Sequence, residues 1–191
     1  MLDLLFPCTI LKEQIIDATS INNQLKSVIN DVMSTIPSGG SGWIGRPYNT
    51  CGTWDITKDE RFNTITTRVT DVVKQYYYEL GVDVKKNPPI CEEGWLNVYS
   101  VSDFQEYHIH EEFRASVVYY VDTSPGSTLV FEPPYIDMKP LVTTVASTLT
   151  NRRVDVSVEP GDAIVFRSFL RHCVPPLKEE GTRISLAFNF N

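Results

Sequence analysis

The sequence predicts an α+β fold, with N-terminal helices packed on one face of a double-stranded β-helix barrel of the jelly-roll or cupin-like kind. Three observations carry this. Apolar residues recur at helical spacing through the first ninety residues. From residue 94 the chain breaks into short β-branched or aromatic runs. Turn signals separate those runs at regular intervals, the pattern of an antiparallel sandwich or barrel. At 191 residues, 42% hydrophobic and 11% aromatic, the chain can bury a sizeable core. Residues 1–191 read as one domain, with 1–90 mainly helical support and loop and 91–191 the barrel core.

The first helix is carried by Ile21, Leu25, Val28, Ile29 and Val32, and Pro37 with the stretch SGGSG ends it. A second places Phe62, Ile65, Val69, Val72, Val73, Tyr76 and Leu80 on one face. Thr57 or Asp59 is expected to cap its start and Gly81 its end. Between the helices, SGWIGRPYNTCGTWD is rich in glycine and aromatics. It predicts a loop anchored by Trp43 and Trp54, either packed on the core or forming a wall that faces a substrate. Strands are expected within GWLNVYSV, EYHIH, RASVVYYVD, STLVFEP, RRVDVSVEPGDAIVF and RISLAFNFN, with turns at SPGS, PPY, EPGD and KEEG.

Charge excludes some functions. With 17 Lys+Arg against 24 Asp+Glu the net charge is −7, whereas binding bulk nucleic acid needs clustered cations. Lys85-Lys86 and Arg152-Arg153 are the basic pairs. No apolar run approaches the ~20 residues of a membrane span, and the start MLDLLFPCTILKEQ lacks the basic region of a signal peptide. Cys8, Cys51, Cys91 and Cys173 are scattered without a CxxC pair, which suits free thiols in a reducing compartment. The cytoplasm is the expected location.

The histidines are His108, His110 and His172, all in the β half. On a regular strand residues i and i+2 share a face, so His108 and His110 are expected to project together. His172 starts another expected strand. Three imidazoles meeting inside a barrel would make a facial metal site with open positions. Iron, zinc, copper and nickel all accept imidazole, so the residues alone do not name the metal; each histidine could also be a satisfied core or surface residue. Arg183 lies beyond His172 at the start of a strand, with Ser185 on its face. A guanidinium beside a hydroxyl suits a bidentate hold on a carboxylate; the alternative is a strand-end pair with Glu179, Glu180 or another surface acid.

These residues carry a resemblance. HIHEEFRASVVYYV resembles an HxH segment leading into a YYV strand, and PGDAIVFRSFLRHCVPP…RISLAFN resembles the ending PG…FPSWLxHxVxP…RISISFN. Leu5-Phe6-Pro7, Gly42-Trp43 and Trp95 to Tyr99 add to it. The pattern resembles the Fe(II)- and 2-oxoglutarate-dependent oxygenases, and within them a small group common in phages and marine bacteria. The resemblance implies that His108, His110 and His172 ligate Fe(II), and that Arg183 holds the distal carboxylate of the co-substrate 2-oxoglutarate. Most of that superfamily has an aspartate where His110 stands, so Glu111 or Glu112 could supply a carboxylate instead; strand parity favours His110. Superfamily analogy adds Tyr99 and Tyr120 as donors to 2-oxoglutarate, with Asn97 and Ser185 beside them. For each tyrosine, core packing is the alternative.

The activity so implied is a dioxygenase hydroxylating a small molecule or peptide, with release of succinate and CO2. Trp43, Trp54 and Arg114 are the candidate substrate contacts, and a homodimer is a family-level expectation. Two other readings stand beside it. One is a cupin-like three-histidine metal enzyme without 2-oxoglutarate; the other is a non-catalytic jelly-roll module.

Overall fold

Alternation along the strands decides how the layers are built. In the computed structural model, which describes residues 7–39, 43–134 and 152–191, the last strand spans Arg183–Phe190. Its residues Leu186, Phe188 and Phe190 turn toward the helices, while Ser185, Ala187 and Asn189 line a cavity on the other side. A strand buried on both faces reads as a nearly continuous apolar run, with its few polar residues set by a period of two.

The chain forms β1 (Ile10–Gln14), α1 (Ala18–Thr35), β2 (Tyr48–Asn49), α2 (Asn63–Glu79), β3 (Cys91–Tyr99), β4 (Gln105–His108), β5 (Ala115–Asp122), β6 (Thr128–Phe131), β7 (Val154–Ser157), β8 (Asp162–Arg167), β9 (His172–Val174) and β10. A six-stranded sheet has the order β1-β8-β5-β10-β3-β2, and a four-stranded sheet the order β4-β9-β6-β7. Among the described residues, every ladder between these strands is antiparallel. Two antiparallel sheets with helices against the larger are the α+β double-stranded β-helix expected.

The core has two compartments. The first lies between the helices and the large sheet, where Leu25, Ile29 and Val32 of α1 and Ile65, Val69 and Val73 of α2 meet Val117, Tyr119, Val121, Val165 and Phe188. The second lies inside the barrel and contains Tyr99, Val118, Tyr120, Leu129, Phe131, Ile164 and Phe166. Consecutive residues of β5 thus serve opposite compartments. Each large side chain so buried contributes roughly 1.5–3 kcal/mol.

Several expectations need correction. The first ninety residues are less helical than their periodicity suggests, because Ile10–Gln14 forms an edge strand on β8. Its short ILKEQ run has no apolar alternation to reveal it. Neither Thr57 nor Asp59 caps α2. Asp59 accepts from the Arg61 N–H of a preceding 3-10 turn, and Phe62 opens α2 without a side-chain cap. Leu80 is exposed rather than packed. Gly81 does close α2: its φ is +80°, its N–H donates to Tyr78, and Val82 N–H donates to Tyr77, the paired bonds of a Schellman motif. Leu5, Phe6, Gly42 and the tyrosine of the PPY turn lie outside the described residues. Among the described residues no helix is long and apolar enough to cross a membrane, and all four cysteines are free.

Candidate metal centre

Strand register brings two of the histidines together. His108, the last residue of β4, pairs directly with His172, the first of β9, and their ring centres lie 4.2 Å apart. His110 joins them by a different route. It lies beyond the end of β4, where its N–H donates to the Ser168 carbonyl at 2.9 Å, so a loop bond rather than strand parity sets its position. Its ring stacks on His108 at 5.1 Å and faces His172 at 5.1 Å. One ring nitrogen from each histidine lies within 4.8 Å of the others, and neither Glu111 nor Glu112 belongs to the cluster.

The second ring nitrogens are fixed from behind. His108 Nδ1 lies 2.8 Å from the Glu106 carbonyl oxygen and His172 Nδ1 lies 2.9 Å from that of Leu170. His110 Nδ1 lies 2.6 Å from Asn189 Oδ1. A carbonyl oxygen only accepts, so each Nδ1 carries the hydrogen and each Nε2 presents a lone pair. Burial pushes His108 down to about 4, pushes His110 down, and with its two neighbours pushes His172 well down. The rings are therefore neutral near pH 7, the form a metal requires. Three neutral nitrogen donors fit Fe(II) and its borderline neighbours.

A cavity of about 280 Å³ opens from the cluster. Asn97, Tyr99, Gln105, Val118, Leu129, Val174 and Ser185 line its depth, and Trp43, Ile109, Glu111, Glu112 and Phe113 line it as well. Behind Tyr99 sits Arg183, only 1% exposed. Its guanidinium carbon lies 4.6 Å from the Tyr99 ring centre, and one terminal nitrogen donates to the Pro175 carbonyl at 3.0 Å. Its Nε and the Tyr120 hydroxyl are buried with no hydrogen-bond partner. No carboxylate among the described residues pairs with Arg183, so the alternative pair with Glu179 or Glu180 does not form. Burial pulls its pKa down, opposed by Tyr120 and Tyr99. A buried cation with an orphaned N–H beside an orphaned hydroxyl fits an anionic group.

Of the other sequence candidates, Asn97 accepts from Asn49 Nδ2 at 2.6 Å on the cavity wall. Tyr120 points into the barrel, whereas Tyr119 turns outward to α1. Trp43 packs edge-on against His108 at 5.2 Å, and its loop is held where Glu106 accepts from the N–H groups of Ile44 and Gly45. The structure does not bring Trp54 or Arg114 to this cavity. Trp54 packs on Phe62 at the edge of the helical core. Arg114 is exposed, because it precedes β5 on the side turned from the barrel. Sequence reasoning missed Asn189, Ser116 and Glu93, which back His110. Strand parity could have found Asn189, since it shares a face with Arg183 and Ser185.

A family model described as “Putative 2OG-Fe(II) oxygenase” matches residues 93–189, a span that holds all three histidines and Arg183. Among curated proteins, 1-aminocyclopropane-1-carboxylate synthase 2 of Solanum lycopersicum is 29% identical over 87 residues, which are 44% of this chain and 17% of that protein's length. Among solved structures, a prolyl hydroxylase of Trichoplax adhaerens in complex with a hypoxia inducible factor peptide fragment has a TM-score of 0.63 at 16% identity, over 95% of this chain and 82% of that one. HygX of Streptomyces hygroscopicus, with nickel, 2-oxoglutarate and hygromycin B bound, has a TM-score of 0.66 at 14% identity, over 96% and 83%. A Pseudomonas putida prolyl-4-hydroxylase has a TM-score of 0.59 at 16% identity, over 96% and 92%. At such identities the likeness is one of fold.

Proposed function

The chain belongs to the family described as “Putative 2OG-Fe(II) oxygenase”, and from that premise we propose that it hydroxylates an organic substrate while converting 2-oxoglutarate and dioxygen to succinate and carbon dioxide. As a member of that family it is an oxygenase that uses Fe(II) and 2-oxoglutarate. One oxygen atom of dioxygen enters the new carboxylate of succinate and the other enters the product, so the stoichiometry closes.

In this reading Nε2 of His108, His110 and His172 hold the iron. Bound there, iron supplies open positions for the co-substrate and dioxygen, and with them the oxidising chemistry. The remaining work belongs to the chain. The Nδ1 hydrogen bonds lock the rings with Nε2 toward the centre. Arg183 receives the distal carboxylate of 2-oxoglutarate through its free Nε, and the Tyr120 hydroxyl donates a second bond. Tyr99, Asn97 and Ser185 complete the polar wall of that end. Val118 and Leu129 keep water away from the reacting end.

The observation that carries the reading is the buried Arg183, without a carboxylate partner among the described residues, behind Tyr99 of a three-histidine cavity. A cupin-like site without 2-oxoglutarate has no use for it, and a purely structural barrel would gain stability from an apolar residue in its place. The substrate class remains a small molecule or a peptide side chain, for which a cavity of about 280 Å³ is adequate. The Trichoplax relative was solved with a peptide and HygX with hygromycin B, so the fold accommodates both. Anaerobic titration with Fe(II) and 2-oxoglutarate, followed by succinate release on admitting air, tests the proposal. Failure to bind 2-oxoglutarate at millimolar concentration rejects it.

A further inference from the structure

We propose that Glu93 and Asn189 form a charge relay behind His110, so that a carboxylate acts on this imidazole from two hydrogen bonds away. The proposal rests on the reading of the three histidines as metal ligands. Glu93 of β3 and Asn189 of β10 are direct cross-strand partners. The register slips immediately after Asn189, where Phe190 pairs with Cys91 and leaves Glu92 as the extra residue. Such a bulge re-aims the side chains beside it.

The donor and acceptor roles follow from the far end of the chain of bonds. Asn189 Nδ2 lies 2.8 Å from Glu93 Oε1, and a carboxylate only accepts, so the amide must turn its NH2 toward Glu93. Its oxygen then faces His110 Nδ1 at 2.6 Å, which makes Nδ1 the donor and leaves the Nε2 lone pair for the metal. Ser116 Oγ donates to the same Asn189 oxygen at 2.8 Å and lies 3.0 Å from His110 Nδ1. Its one hydrogen is thereby used, so it accepts from the Ser168 hydroxyl at 2.8 Å. Asn189, Ser116 and Ser168 are all buried, and no role in this network conflicts with another.

The asymmetry within the triad is the informative part. His108 and His172 donate to neutral backbone carbonyls, whereas His110 leads through side chains to a formal negative charge. A triad of two histidines and one carboxylate brings its own negative charge to the metal; three imidazoles bring none. The Glu93–Asn189 relay returns part of that charge by raising the basicity of His110. Glu93 and Asn189 are thus positioning residues.

The test uses Co(II) as probe, with the metal-free full chain and neither 2-oxoglutarate nor substrate present. Glu93→Gln keeps an acceptor for Asn189 and removes the charge; Glu93→Ala removes both. Glu93→Gln is expected to weaken Co(II) binding about tenfold, with shifted visible Co(II) bands and an unchanged thermal midpoint, and Glu93→Ala to weaken it further. Nitrogen-15 imidazole spectra of the metal-free wild-type protein are expected to show the Nδ1–H tautomer of His110. Wild-type Co(II) affinity in Glu93→Gln, or an Nε2–H tautomer in the wild type, overturns the relay. If His172→Ala binds Co(II) as well as the wild type does, the metal-ligand reading falls and takes the relay with it.

Discussion

Arg183 and Tyr99 are cross-strand partners, and the guanidinium carbon of the first lies 4.6 Å from the ring centre of the second. The ring face and the Pro175 carbonyl are both neutral, so the positive charge of a nearly inaccessible side chain stays uncompensated within the described residues. Taking a cation out of water costs several kcal/mol even after relaxation. A fold that keeps such a group has a use for it that packing does not supply. An anion reaching Arg183 from the cavity would find an orphaned N–H and an orphaned hydroxyl already in place.

Arg183→Met should therefore separate co-substrate binding from metal binding. Loss of hydrogen bonds to a charged group is worth about 1.5–3 kcal/mol, so the dissociation constant for 2-oxoglutarate should rise roughly 10- to 150-fold. Co(II) affinity should stay within about twofold, and the metal-free variant should be at least as stable as the wild type. Anaerobic calorimetry and urea denaturation measure all three. Unchanged 2-oxoglutarate affinity would remove Arg183 from the site.

The same burial makes the metal-free protein sensitive to mild acid. The folded pKa values of His108, His110 and His172 are all depressed, that of His108 to about 4, against about 6.5 in an unfolded chain. As pH falls below about 6.5 the unfolded state takes up protons that the folded state refuses, and stability falls with pH. Each imidazole contributes a slope of up to about 1.4 kcal/mol per pH unit between its two pKa values. The lowered carboxyls of Glu106, Asp59 and Asp155 start from ordinary values of 4.5, 3.8 and 3.8, so they act only at lower pH. Urea midpoints of chelator-treated protein should drop between pH 7 and 5, and added Co(II) should raise the midpoint at pH 7. A flat profile contradicts this.

What the sequence disclosed and what it concealed divide along a physical line. Trp95, Asn97 and Tyr99 on one strand, and Arg183 and Ser185 on another, obey a period of two that tertiary contacts do not disturb, so their shared face was legible. His110 was legible as a candidate for the wrong reason, because it stands off the strand and is held by the Ser168 carbonyl. Glu93 and Asn189 looked ordinary, since their meeting depends on the pairing of β3 with β10, residues far apart in the chain. The two helices were readable from their apolar stripes. The edge strand β1 was not, because Ile10, Lys12 and Gln14 are exposed and the other face, Leu11 and Glu13, is only half-buried, so the pattern needs little apolar alternation.

Gly45 tests the cavity wall. A Cβ there would overlap the Phe104 carbonyl, so Gly45→Ala must push the Trp43 loop away from the strand that carries His108. The loop meets that strand through the Glu106 hydrogen bonds and the Trp43–His108 ring contact, outside the apolar core. Once a substrate is known, its KM should rise severalfold. Metal and 2-oxoglutarate affinities should change less, since Arg183 lies away from the loop and His108 is held from behind by the Glu106 carbonyl. Steady-state kinetics beside binding titrations would show the split. Equal losses in every parameter would mean that the wall also supports the metal centre.

A buried polar pair crosses the apolar seam between helices and barrel. Tyr119, fully buried on β5, donates its hydroxyl hydrogen to Asn22 Oδ1 of α1 at 2.5 Å, and the surrounding residues are aliphatic or aromatic. Tyr119→Phe removes the donor and leaves the Asn22 oxygen buried without it, a loss of about 1–3 kcal/mol. Pairing it with Asn22→Leu removes the stranded acceptor as well, so the double variant should recover part of that loss despite carrying two changes. Chemical denaturation of the single and double variants measures the coupling. If the effects of the two substitutions simply add, the hydroxyl and the amide do not act as a pair, and apolar packing with the Lys26–Asp122 ion pair holds α1 to the barrel.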